Sequence, residues 1–154
     1  MKIIYCCFGG AHSSVVTASI HLGYLPIDRI PTKEEILMLP FYDSAKNSEI
    51  GTPRYMGVDI KGNRVYFLGL GHARNYYMEL LHEFYKECNI GLENDIIVTD
   101  VTILLNFFTR LGGFMSRKLN MVSIGRPLTV YGILKKYPSF VELVKNVKKT
   151  LIGI

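Results

Sequence analysis

The side chains with the most chemical capacity lie together near the start of the chain, in Cys7-Phe8-Gly9-Gly10-Ala11-His12-Ser13-Ser14. A thiol, a glycine pair, an imidazole and paired hydroxyls follow one another there. Glycine lets the backbone approach a ligand closely, and successive N–H groups can form a nest for an anion. A helix beginning at the serines adds its positive end, with Ser13 and Ser14 as hydroxyl donors. Phosphate binding by Gly9, Gly10, Ala11, His12, Ser13 and Ser14 is the chemistry this spacing predicts. The plainer reading is a tight strand-to-helix turn with serine caps. Cys7 divides in the same way. A thiolate at a helix N-terminus is a good nucleophile, whereas a cysteine on a buried strand is only a small apolar residue.

Other candidates stand far away in sequence. His72 follows Gly69-Leu70-Gly71, Asp100 follows Ile96-Ile97-Val98-Thr99, and Arg126 sits in Gly125-Arg126-Pro127. Histidine as a residue type titrates near neutral pH, so His12 and His72 could be acid/base groups; either could equally cap a helix or bond a carbonyl. Asp100 is read as placing a metal or polarising water, or else as a helix N-cap. Fork geometry suits arginine to phosphate, which favours Arg126 over Arg117 and Lys118 as a clamp. Cys6, Cys7, His12 and His72 lack the paired spacing of a zinc site, so no metal centre is predicted. His21 and His82 fall on helices and are read as structural or solvated.

These residues act together only if the elements bring them to one edge. Lys2 to Phe8 reads as a buried strand, and Val15 to Leu22 as a helix closed by Gly23. Thr32 and Glu35 form a capping box for a short helix that Pro40 stops. Phe41 to Pro53 is polar and reads as loop. Tyr55 to Ile60 and Arg64 to Leu70 flank Lys61-Gly62-Asn63 as a hairpin. The helix over Ala73 to Cys88 sets Tyr76, Tyr77, Leu80, Leu81, Phe84, Tyr85 and Cys88 on one stripe. Asp95 to Thr99 is the next strand, and Ile103 to Leu111 a helix ended by Gly112-Gly113. After a basic turn at Ser116-Arg117-Lys118, Asn120 to Ile124 reads as a last strand. Pro127 opens another helix, and Pro138 with Ser139 and Glu142 starts a terminal one.

Strands alternating with helices predict one α/β domain over residues 1–154. Its form is a three-layer α/β/α sandwich with a mostly parallel sheet and an antiparallel edge hairpin. The strand-to-helix junctions then share the carboxyl edge of the sheet, where such folds bind ligands. Cys6 and Cys7 cannot both face that site, because consecutive strand residues point to opposite faces.

With 154 residues, 49% of them hydrophobic and 20% charged, the chain can bury a real core, which excludes disorder as its main state. The charge is +5, from 18 Lys+Arg against 13 Asp+Glu. Much of the excess is Lys135, Lys136, Lys145, Lys148 and Lys149, a solvated face of a terminal helix. Aromatics do not alternate with those lysines, so nucleic acid is not the expected partner. The 3 cysteines do not make a disulfide framework. No signal-peptide pattern is read, and the densest apolar window, Val101 to Phe108, is broken by Thr102 and Asn106. The expectation is a cytoplasmic protein without membrane insertion.

The first turn resembles two known loops. Read from Cys7 to Ser14, it is similar to the phosphate-binding loop of P-loop nucleotide-binding proteins. That resemblance implies Ser14 on magnesium and Asp100 as the second motif's acid, with Ser13 where the lysine stands and His12 where a glycine stands. Cys7, Gly10, Ser13 and Ser14 also resemble the cysteine loop of sugar-phosphotransferase B domains and of low-molecular-weight tyrosine phosphatases. Here Ser13 replaces the phosphatase arginine. Across most of its length the chain resembles an uncharacterised family of Firmicutes proteins carrying a numbered domain of unknown function. Gly9 to Val15, Gly112 to Arg117 and Ser123 to Pro127 carry that likeness, which implies no substrate.

The expected function is binding of a phosphorylated small molecule, foremost a nucleotide, at the first turn, with Arg126 neutralising its charge. If catalytic, the reaction is phosphoryl transfer or hydrolysis using Asp100 and His72, with magnesium as the implied cofactor. The alternatives are phosphoryl transfer through Cys7, or a non-catalytic module that a nucleotide regulates.

Overall fold

The computed structural model describes residues 1–88, 96–119 and 121–151. β1 (Lys2–Cys7), β2 (Arg54–Val58), β3 (Arg64–Gly69) and β4 (Ile96–Asp100) form one sheet in the order β2-β3-β1-β4. β1 is parallel to both β3 and β4, whereas β2 runs antiparallel to β3 at the edge. This is the mixed α/β sheet with an edge hairpin that the sequence predicts. The first residue of the predicted strand at Asp95 lies outside the described residues.

Alternation along β1 sorts its side chains. Ile3, Tyr5 and Cys7 enter the main core with Val65 and Phe67 of β3. Over that face lies α1 (Ser13–Leu22), contributing Val15, Val16, Ala18 and Ile20. Ile4 and Cys6 point the other way, into a small cluster with Leu68, Leu70 and Val98. Met78 of α3 (Arg74–Cys88) covers that cluster. The connections leaving β1 and β3 therefore go to opposite faces, which puts the topological switch point between these two strands.

α2 (Lys33–Leu37) carries the predicted capping box: Thr32 Oγ1 accepts from Glu35 N–H, and the Glu35 carboxylate accepts from Thr32 N–H. His21 is structural, as read. It is buried with its Nδ1 2.7 Å from the Tyr5 hydroxyl and its Nε2 3.1 Å from Asp59. Burial lowers its pKa against the opposing pull of Asp59. The ring is therefore neutral, donating from Nε2 and accepting at Nδ1. The side chain of His82 lies outside the described residues.

The C-terminal half departs from expectation. Gly112 and Gly113 do not end a helix; they lie within α4 (Phe107–Lys118), which Asn106 caps by accepting from Thr109 N–H. Thr102–Leu104 is a separate 3-10 turn, and the predicted basic turn at Ser116 is the last turn of α4. The predicted strand at 120–124 does not form. Residue 120 lies outside the described residues, and α5 (Val122–Thr150) begins within the segment. The predicted new start at Pro138 does not form either, because Pro127 and Pro138 both lie inside α5.

Magnitudes explain the unbroken helix. An internal proline costs ~3 kcal/mol, and a fully buried aliphatic or aromatic side chain contributes about 1.5–3 kcal/mol. Val130, Ile133, Tyr137, Phe140, Val144 and Val147 keep a helical period across Pro138 and are all buried. One new start would forfeit that stripe. Tyr137 also donates to the Pro26 carbonyl at 2.6 Å, and Lys148 to the His21 carbonyl at 2.8 Å.

The predicted stripe on α3 is not buried at Tyr76, Tyr77 and Leu80, which are exposed. The side chains of Leu81, Phe84, Tyr85 and Cys88 lie outside the described residues. No helix among the described residues is long and apolar enough to cross a membrane.

α4 and α5 touch backbone to backbone. A Cβ on Gly112 would stand 2.7 Å from the Gly125 oxygen, and one on Gly125 2.5 Å from the Ser116 nitrogen. Gly125→Ala should therefore destabilise the protein by about 3 kcal/mol, the upper part of the overpacking range. Gly113→Ala meets only His12 Nδ1, at 3.9 Å, and should raise stability by about 0.5–1 kcal/mol through helix propensity. Urea unfolding of both variants measures the contrast.

Candidate functional site

β1 delivers Cys7 to the carboxyl edge of the sheet, where the chain must turn at once into α1. Gly10 makes that turn with a φ of +63°. A Cβ there would lie 2.7 Å from the Gly69 nitrogen, and one on Gly69 would lie 2.8 Å from the Gly9 carbonyl carbon. Two side-chain-free stretches of backbone thus fill the crevice between β1 and β3. Leu70 N–H donates to the Cys7 oxygen at 2.9 Å, and Gly71 N–H to the Phe8 oxygen at 2.8 Å, which extends the pairing past the strands.

The turn folds around the Cys7 sulfur. Gly10 N–H donates to Sγ at 3.1 Å, and the Ser14 hydroxyl lies 3.2 Å from it. Ala11, His12, Ser13 and Ser14 are all buried. α1 starts with no side-chain cap and no acid in its first turn. A helix N-terminus carries orphan N–H groups and a partial positive charge, so it stabilises a phosphoryl oxyanion or a thiolate. Cys6 lies on the other face of the sheet, where its thiol donates to the Thr99 oxygen. Burial, then the nearby Asp100 and Cys7, push its thiol up to about 12.

The predicted turn is tied down by a residue that sequence reasoning missed. Asp43 Oδ1 accepts from His12 Nε2 at 2.9 Å and from the Ser116 hydroxyl at 3.0 Å. Its Oδ2 accepts from Arg126 Nε at 2.9 Å, and its own N–H donates to the Ala11 oxygen at 2.9 Å. The carboxylate is 4% exposed, against 46% for the arginine. Burial works to raise its pKa, but the hydrogen bonds from His12, Arg126 and Ser116 outweigh burial and hold it at about 2. His12 and Arg126 are therefore brought to the turn's flank, both on Asp43. Nothing local marked Asp43, which lies in the segment read as loop and has a φ of +56°.

Asp100 is not brought to this site. It pairs in register with Cys6, on the face away from Cys7. Arg74 and Thr102 bind its carboxylate, with Thr102 N–H at 2.9 Å and the Thr102 hydroxyl at 2.6 Å. Ser14 is committed to Cys7. Ser14 and Asp100, the residues a P-loop would set around magnesium, are thus separated and do not fit that ion. Among the described residues, no group of three or more His, Cys, Asp or Glu could hold a metal ion. His72 is exposed, edge-on to Phe8 at 4.9 Å between ring centroids. The side chains of Arg117 and Lys118, the alternative clamp, lie outside the described residues.

A second missed residue is Arg54. With Thr52, Glu49, Ala45 and Phe67, it lines a small cleft closed by Gly9, Gly10 and Gly69. Its guanidinium carbon stands 4.7 Å over Phe41 and 5.4 Å over Phe67, and Nη1 is 3.1 Å from Glu49. The hairpin reading began at Tyr55, one residue too late to notice it.

Removing the Asp43 carboxylate strands His12, Ser116 and Arg126, so Asp43→Ala should cost about 3 kcal/mol. The carboxyl titrates near 2 in the fold against 3.8 ordinarily, so the folded form binds fewer protons. Its stabilisation is complete above about pH 4 and is lost as pH falls toward 2. Asp59 is also held at about 2. Unfolding midpoints measured against pH should therefore fall less steeply in Asp43→Asn than in wild type, without becoming flat.

No curated protein and no solved structure matches the chain. The family described as protein of unknown function, DUF3189, matches residues 2–149. Since the match spans both the Cys7 turn and the helices that brace it, the chain belongs to the DUF3189 family.

Proposed function

We propose that the protein binds a phosphorylated small molecule at the Gly9–Ser14 turn and presents its phosphoryl group to Cys7. The observation that carries this reading is the sulfur's surroundings. Cys7 Sγ accepts from Gly10 N–H and lies beside the Ser14 hydroxyl, at the uncapped start of α1. Those groups stabilise a thiolate and, equally, the oxygens of a phosphoryl group brought to it. The same contact favours the cysteine loop over a magnesium–nucleotide loop, because it occupies the Ser14 hydroxyl.

In this reaction the Cys7 thiolate attacks phosphorus and forms an S–P bond. The P–O bond to the ester breaks, its electron pair stays on the leaving oxygen, and that oxygen takes a proton from water. Attack by water on the S–P bond then releases phosphate and returns the thiolate. Asp43 is ionised and holds His12 in place, which makes His12 a positioned imidazole at the flank of the turn.

The test is a thermal-shift and intact-mass series with inorganic phosphate, vanadate, p-nitrophenyl phosphate and nucleotides. A ligand at 100 times its Kd should stabilise the wild type by about 2.7 kcal/mol. Incubation with p-nitrophenyl phosphate should leave one acid-labile phosphoryl group on the protein, absent in Cys7→Ser. Stabilisation without any adduct would favour the non-catalytic, ligand-responsive module. No response to any of these ligands would overturn the proposal.

A further inference from the structure

The turn has Ser13 where the resembled loops have their cation, and Arg126 is spent on Asp43. We propose that Arg54 supplies the missing positive charge and binds the phosphoryl oxygens from the side, an inference that rests on the reading of the turn just given. The register places it there. Cys7 pairs with Gly69 across β1 and β3, and Arg54 pairs with Phe67 across β3 and β2. Cys7 and Phe67 share the main core face, and Arg54 stacks on Phe67 on that same face. β2 runs antiparallel, so its first residue lies at the edge where β1 and β3 end. Arg54 and Cys7 therefore occupy one face and one edge. Gly69 stands between them, and the Gly9-Gly10 backbone lies over it.

The guanidinium is also prepared for a ligand. Phe41 and Phe67 fix its plane by cation–π contact, which lowers the ordering cost of binding. Gly51 N–H donates to the Gly69 oxygen at 2.7 Å, pinning the strand's approach to the end of β3. The side chain is 26% exposed, so it reaches the cleft from a partly desolvated position. Its acidic partner, Glu49, is 32% exposed and also accepts from Lys46 N–H at 2.6 Å. Glu49 thus keeps a second partner when a phosphate takes its place on the arginine fork. Such a fork matches two phosphoryl oxygens at once, which a lysine cannot do.

The test uses the full chain and inorganic phosphate, with affinity read by calorimetry and folding by urea unfolding. Arg54→Met keeps an unbranched chain between the rings and should weaken phosphate binding about tenfold or more, the ratio for one charge-assisted bond. Arg54→Lys should fall between Met and wild type. Glu49→Gln removes the competing carboxylate and should tighten binding about threefold, a direction that a purely structural arginine would not produce. It also keeps the test decisive if Arg54→Met fails to fold. Should wild type bind phosphate while Arg54→Met and Glu49→Gln bind it equally well, Arg54 is a packing residue and this inference falls alone. Should wild type not bind phosphate at all, the reading of the turn falls and this inference with it.

Discussion

The carboxylate of Asp43 is the constraint on which the working edge of this molecule depends. A buried ion is tolerated only where hydrogen bonds replace its water, and here His12, Ser116 and Arg126 do so together. Each donor comes from a different element: the turn before α1, α4 and α5. The non-glycine φ of +56° adds a backbone cost of order 1–3 kcal/mol, which persists only because the surroundings over-determine the geometry. One charge thus couples the position of the turn to the packing of two distant helices. The turn is a tertiary feature, even though all its residues are consecutive.

The second constraint is the contact between Gly10 and Gly69. At a topological switch point the carboxyl ends of neighbouring strands leave a crevice, and such crevices commonly hold ligands. Here the protein's own backbone fills most of the one between β1 and β3, since neither glycine has room for a Cβ. What remains open is displaced to the side, toward Thr52 and Arg54. The same filling brings the Gly10 N–H onto the Cys7 sulfur. Closing the crevice and furnishing the thiol are one act of geometry.

These dependences show which parts were legible in the residues. Local chemistry announced β1, α1 with its Gly23 stop, the Thr32–Glu35 box and the edge hairpin, and each has a local cause. Period-2 alternation alone told that Cys6 and Cys7 part company. The glycine pair at 112–113 misled, because glycine marks close approach as readily as termination, and only α5 reveals which applies. Residues 121–124 misled for another reason. A short apolar, β-branched run carries no period of its own, and their place in or beside α5 follows from Gly125 meeting α4. Asp43 and Arg54 could not be found at all by spacing. Each gains its role from a partner more than ten positions away, as with Ser116 and Phe67.

The overall charge of +5 acquires a sharper meaning at this edge. Arg126, Arg54 and Arg74 all stand near the carboxyl ends of the strands, and each already faces a carboxylate: Asp43, Glu49 and Asp100. These pairs add no net charge, so an anion arriving at one of these arginines competes with its carboxylate partner. Burial decides which exchange is cheap. Asp43 is 4% exposed, and losing Arg126 would leave it with only His12 and Ser116 as side-chain donors in a nearly dry site. Asp100 lies on the other face of the sheet, with Cys6. Glu49 is 32% exposed and returns to water more readily than Asp43 does. Of these three paired arginines, Arg54 therefore changes partners at the least cost, and it stands beside the turn that lacks a cation.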